Sequence, residues 1–83
     1  MADVLLIGMG TTTLSALQSL LDTCHVVGLV RESADPQSDP VLQLAERAGV
    51  RIFPDASLQG VERAIRKLQP KCVGVSSYGR LLP

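Results

Sequence analysis

Tryptophan is absent from these 83 residues, and phenylalanine and tyrosine occur once each. The core must therefore be assembled from Leu, Val, Ile and Ala. There is one histidine, His25, and there are two cysteines, Cys24 and Cys72. A structural zinc needs about four nitrogen or sulfur ligands, so no metal site is expected. The cysteines lack C-x-x-C spacing and are expected as two reduced, buried thiols. Charge of either sign is not in surplus: eight basic residues face eight acidic ones. That balance leaves no basic stripe to steer nucleic acid or an anionic membrane surface. No apolar run approaches the roughly 20 residues of a membrane span. The opening "MADVLLIG" has no positive charge ahead of its apolar stretch, so it does not read as a signal peptide. A cytoplasmic location is the expectation.

What is present reads as one globular domain over residues 1–83, with 46% hydrophobic and 19% charged residues. A chain of this length buries only about 60–65% of its unfolded surface, so the core is marginal. Domains of that kind often add a disulfide, a metal or a partner chain.

Apolar runs alternate with helical periodicity. "DVLLIG" (3–8) suits a strand buried on both faces. In "TLSALQSLLD" (13–22), Leu14, Leu17 and Leu21 recur at helical spacing, with Thr12 or Thr13 as N-cap. "HVVGLVR" (25–31) is a second strand, and "ESADPQSD" (32–39) a polar connector. Asp39-Pro40 reads as N-cap and first helical residue. The helix that follows carries Val41, Leu44, Ala45 and Ala48 on its apolar face, and Gly49 suits a left-handed C-cap. "RIF" (51–53) is a third strand. Ser57 caps a helix whose stripe is Val61, Ala64, Ile65 and Leu68, with Glu62 and Arg66 paired on its wet side. Pro70 ends it, and "KCVGVSS" (71–77) is the fourth strand.

This βαβαβαβ order specifies an α/β fold with a parallel sheet. The expected architecture is a three-layer half-Rossmann domain, strand order 3-2-1-4, with helices on both faces. In that order Cys24 and Cys72 lie at least about 9–10 Å apart, beyond the reach of a disulfide.

Three loops, 8–12, 31–39 and 76–83, gather at the carboxyl edge, where open parallel sheets bind ligands. Gly8 and Gly10 in "GMGTTT" allow a tight turn and close approach of a ligand to backbone N–H groups. The dinucleotide fingerprint wants a small third residue, where Thr13 stands. It also wants an acidic residue after the second strand, near Glu32, which Arg31 precedes. His25 and Asp3 fall on the opposite rim. Ser76 and Ser77 are on the ligand rim with no histidine in reach to act as base, so neither reads as a nucleophile. The connector, with Glu32, Asp35 and Asp39, reads as solvated apart from its helix cap. No catalytic group is identified. A nucleotide-binding half-domain and an interaction module without ligand both remain open.

The tail "KLQPKCVGVSSYGRLLP" resembles the end of the fourth strand in formyltransferases that use 10-formyltetrahydrofolate, the methionyl-tRNA formyltransferase-like family. Ser77, Tyr78, Gly79, Leu81, Leu82 and Pro83 fit its pattern there. "LLIGMGTTTLSALQSLL", "HVVGLV" and "LAERAGVRIFPDASL" are similar, in order, to its first strand and helix, its second strand, and its third strand with flanking segments. Arg51 stands where proline is usual. The resemblance implies formyl transfer from 10-formyltetrahydrofolate to an amino group as the family reaction. It implies a folate pocket near Gly8, Met9, Gly10 and Thr11 and near the loop from Ser77 to Pro83. The connector here is short and acidic where the tRNA enzymes carry a longer, basic loop, which argues against a tRNA acceptor. The family's catalytic Asn, His and Asp follow the segment represented here. None carries over, and no formyl transfer is expected from these residues alone.

In that family a further strand pairs beside the fourth. Without it, Cys72, Val73, Val75 and Ser76 form an apolar edge with unpaired backbone groups. The expectation is a homodimer in which two fourth strands pair antiparallel into one eight-stranded sheet. A separate chain supplying the other half of the family fold is the alternative partner.

Overall fold

The structure is a computed structural model and describes residues 3–76. Four strands, β1 (Asp3–Gly8), β2 (His25–Val30), β3 (Arg51–Phe53) and β4 (Cys72–Ser76), alternate with three helices, α1 (Thr13–Thr23), α2 (Pro40–Arg47) and α3 (Leu58–Leu68). A 3-10 turn at Pro36–Ser38 interrupts the connector before α2. All strand pairings are parallel, and the order is β3-β2-β1-β4. The expected half-Rossmann topology is the observed one.

Alternation along the central strands builds two cores. Leu6 and Leu29 point to the face covered by α1 and α2, with Leu17, Val41, Leu42 and Ala45. Leu5, Ile7 and Val30 point to the other face, against Ala56, Val61 and Ala64 of the α3 region. Burying a Leu or Ile side chain fully stabilises by about 1.5–3 kcal/mol, and Leu5, Leu17 and Leu29 are wholly inaccessible.

The helix ends follow their sequence signals in two of three cases. Asp39 accepts from the Val41 N–H with Pro40 at the first position, and Ser57 accepts from the Gly60 N–H. Thr12 occupies the N-cap position of α1 but makes no cap hydrogen bond. Its backbone is already helical there, with φ −68° and ψ −11°, so its hydroxyl points elsewhere. Gly49 is left-handed at φ 74°, as expected after α2. Pro70 disfavours a right-handed residue before it, and α3 ends with Gln69 left-handed at φ 47°.

Several residues depart from the expected burial. Leu42, not Ala48, completes the buried face of α2 with Val41 and Ala45. Ile65 is 37% exposed although it stands in the apolar stripe of α3. The thiols are unpaired, as expected, but neither is buried: Cys24 is half-buried and Cys72 exposed.

The β4 strand has β1 on one side and no neighbour on the other among the described residues. Register pairs Leu5 with Val73 and Ile7 with Val75. Both valines therefore stand on the α3 face of the sheet. The helix packs over β2 and β1 and leaves Val73 42% and Val75 52% exposed.

Candidate functional site

The carboxyl ends of the strands meet around one side chain that sequence reasoning did not single out. Arg31 leaves the end of β2, and its N–H donates to the Phe53 carbonyl of β3 at 3.0 Å. Its Nη1 donates to the Gly8 and Gly10 carbonyls at 3.1 and 3.2 Å. Its Nε donates to Asp39 Oδ2 at 2.7 Å. One guanidinium thus ties the glycine turn after β1 to the start of α2. The signal available in sequence was a lone arginine closing an apolar strand run, eight residues before an Asp-Pro cap.

Asp39 is nearly inaccessible. Burial alone would raise its pKa, but the Arg31 hydrogen bond, the Val41 N–H, the Ser33 side chain and the Arg31 charge together hold it below the usual carboxylate value. The site therefore contains a charged, compensated pair rather than a free acid or a free cation.

The glycine turn is shaped by close packing. Gly8 lies against Thr13, the first residue of α1: a Cβ at Gly8 would collide with the Thr13 hydroxyl and methyl, and would come within 2.9 Å of its Cβ. Thr13 takes the position where the dinucleotide fingerprint has a small residue, and Gly8 accommodates its bulk. Thr13 is fully buried, and its hydroxyl has no hydrogen-bond partner among the described residues.

The β1 and β4 exits are joined. Met9 N–H donates to the Ser76 carbonyl at 3.3 Å, and the Thr12 and Ser76 hydroxyls lie 3.2 Å apart. Gly8, Met9, Gly10 and Thr11 thus stand beside the end of β4, as expected. Thr11 is exposed, while Met9 packs partly into the α3-side core. Ser77, Tyr78, Gly79, Leu81, Leu82 and Pro83 lie outside the described residues.

The connector is more than a solvated link. Glu32 Oε1 accepts from the Ala56 N–H at 3.4 Å, and its own N–H approaches Met9 Sδ at 3.5 Å. Glu32 also lines a cavity between the ends of β2 and β3. At the opposite rim, His25 Nδ1 and Asp3 Oδ1 lie 3.0 Å apart, both exposed. Among the described residues no three His, Cys, Asp or Glu side chains cluster to hold a metal, and no helix is long and apolar enough to cross a membrane.

No protein-family model, curated protein or solved structure matches the chain.

Proposed function

We propose that these residues form the N-terminal module of a formyltransferase-type fold, and that the β1–β4 edge binds a formyl-carrying folate. The observation that carries this reading is the Met9–Ser76 hydrogen bond at 3.3 Å. It joins the turn at Gly8–Thr11 to the end of β4, two segments more than sixty residues apart in the chain. The first is one of the two segments that the sequence resemblance associates with the folate pocket, and the second leads in sequence into the other, the loop from Ser77 to Pro83; the two meet at the switch point where open parallel sheets take ligands.

The role proposed for these residues is binding. His25, the one histidine of the sequence, stands on the far rim beside Asp3, away from Ser76, whose hydroxyl lies 3.2 Å from that of Thr12. Formyl transfer needs a proton acceptor at the attacking amine and a donor at the developing oxyanion. The named residues of this edge provide backbone and hydroxyl groups for holding a ligand.

Titration of 15N-labelled protein with 5-formyltetrahydrofolate, a stable formyl folate, tests the reading. Saturable shifts at Met9, Gly10, Thr11 and Ser76 are expected. Shifts confined to other residues, or none at millimolar ligand, would refute it. NADH in a parallel titration separates the dinucleotide alternative, which would shift Gly8–Thr11 without folate.

A second reading rests on the β4 edge. Val73 and Val75 are exposed on a strand that has no neighbour on one side among the described residues. Pairing β4 antiparallel with its copy would satisfy that side and bring the valines of the two copies into cross-strand contact, giving a two-fold dimer with one continuous sheet. Dimerisation and folate binding use different atoms and can coexist.

A further inference from the structure

The glycine turn of the proposed ligand edge is aimed by a residue that lies outside it. Every peptide bond among the described residues is trans, so each carbonyl points opposite to the N–H of the residue that follows. Arg31 Nη1 draws the Gly8 and Gly10 carbonyls toward one point, at 3.1 and 3.2 Å. The N–H groups of Met9 and Thr11 must therefore face away from Arg31. Met9 shows the consequence, since its N–H donates to the Ser76 carbonyl at the end of β4. Thr11 is exposed, and its N–H meets no acceptor among the described residues.

The chemistry of the turn follows from this. With the Gly8 and Gly10 carbonyls turned inward, the Thr11 peptide offers a donor to the outside and no acceptor of the bond before it. Residues 8–12 carry no ionisable side chain. The Arg31 charge is offset by Asp39 at 2.7 Å, and its side chain is only 11% exposed. The turn therefore selects by hydrogen bonding rather than by net charge. A guanidinium suits this task because separate nitrogens serve its partners: Nε holds Asp39, and Nη1 holds the turn. A donor fixed before the ligand arrives avoids the cost of ordering it on binding.

We infer that Arg31 is a positioning residue for the β1–β4 edge, and that the Thr11 N–H, which it aims, takes a carbonyl oxygen of the ligand. The inference rests on the ligand edge proposed above and adds the group that meets the turn. Arg31 acts through the Gly8 and Gly10 carbonyls and touches no ligand itself.

Amide exchange in 15N-labelled protein tests Arg31 without any ligand. Arg31→Lys keeps a cation beside Asp39 but has one nitrogen where arginine uses two. Exchange at Met9 should quicken at least about fivefold, the worth of one hydrogen bond. Asp39→Asn leaves Nη1 on the turn and an oxygen for Nε, so it controls for lost stability and should quicken Met9 less. Equal effects of the two variants, or no effect of Arg31→Lys, would show that Arg31 only stabilises the fold, and the proposal would fall. The wild type gives a second measurement that needs no variant to fold. Saturating 5-formyltetrahydrofolate should slow Thr11 exchange at least about fivefold, and free glutamate, the carboxylate end of that ligand, should not. Folate binding that leaves Thr11 exchange unchanged, or glutamate slowing it as much, would overturn the proposal. No folate binding at all refutes the folate reading and with it the Thr11 contact, while the Met9 comparison still decides whether Arg31 aims the turn.

Discussion

Arg31 Nε donates to Asp39 Oδ2 at 2.7 Å, while Asp39 Oδ1 accepts from the Val41 N–H at 3.0 Å. One carboxylate thus serves as ion-pair partner and as cap of α2. The two side chains are only 11% and 6% exposed. A buried pair gains little over a well-packed apolar pair, but removing one member strands the other charge. Asp39→Ala should cost about 3–5 kcal/mol, a large share of the stability of a domain this size. Asp39→Asn keeps a capping oxygen and should retain about 1 kcal/mol more than Asp39→Ala. Urea denaturation of the three proteins measures both differences.

The same pair sets a pH dependence. The Asp39 pKa is lowered in the folded protein from a reference of 3.8. A depressed folded pKa means that the unfolded chain binds the proton more readily. The stabilisation is therefore complete above the unfolded value and is lost as pH falls through the folded one. The urea midpoint should hold level from neutral pH to about 5 and fall below about 4. Asp39→Asn should flatten that fall, relative to wild type, by the share that Asp39 contributes. An unchanged acid limb in the variant would show that other carboxylates carry it.

Local pattern was enough to read the order of elements. Each strand is an apolar run with punctuation, and the caps at Asp39 and Ser57 are spelled out by single residues. The hub at Arg31 was not legible, because its partners Gly8, Gly10 and Asp39 come from separate segments. Nothing in a local pattern says which carbonyls will face one guanidinium. Exposure misleads for a related reason. Ile65 carries the periodicity of a buried residue, but α3 lies over β2 and β1 and leaves it 37% exposed. Ala48 was misplaced because α2 ends at Arg47, so Leu42 in its first turn contributes more to the core.

Gly8 and Thr13 should behave as one unit. Gly8→Ala drives its new methyl into Thr13, and overpacking of this kind costs about 1–3 kcal/mol. Thr13→Ala in that background removes the hydroxyl and methyl but leaves the Cβ within 2.9 Å. Rescue should therefore be partial, with a coupling energy of about 0.5–3 kcal/mol in a double-mutant cycle. Additive effects would show that the turn relaxes away from the helix.

Thr13→Val tests the buried hydroxyl alone. Thr13 Oγ1 is buried without a hydrogen-bond partner among the described residues, and a desolvated, unpaired hydroxyl costs about 1–3 kcal/mol. Valine keeps the shape and removes the cost, so the variant should be more stable. For a domain of this size each 1 kcal/mol raises Tm by about 4–8 °C. A lower Tm would mean that the hydroxyl has a partner, such as an ordered water.

The β4 edge yields the remaining prediction. A two-fold axis centred on Gly74 would set Val73 of one copy against the partner's Val75, joining the two exposed valines of each copy on the α3 face. Val73→Lys with Val75→Lys would place like charges directly opposite one another in that arrangement, which destabilises strand pairing, and edge lysines are a common device against such contacts. Wild-type protein should sediment as a dimer at micromolar concentration and the double variant as a monomer, with circular dichroism unchanged because neither side chain is buried. A monomeric wild type would remove the dimer proposal outright. A dimeric double variant would overturn this pairing of β4 with its copy.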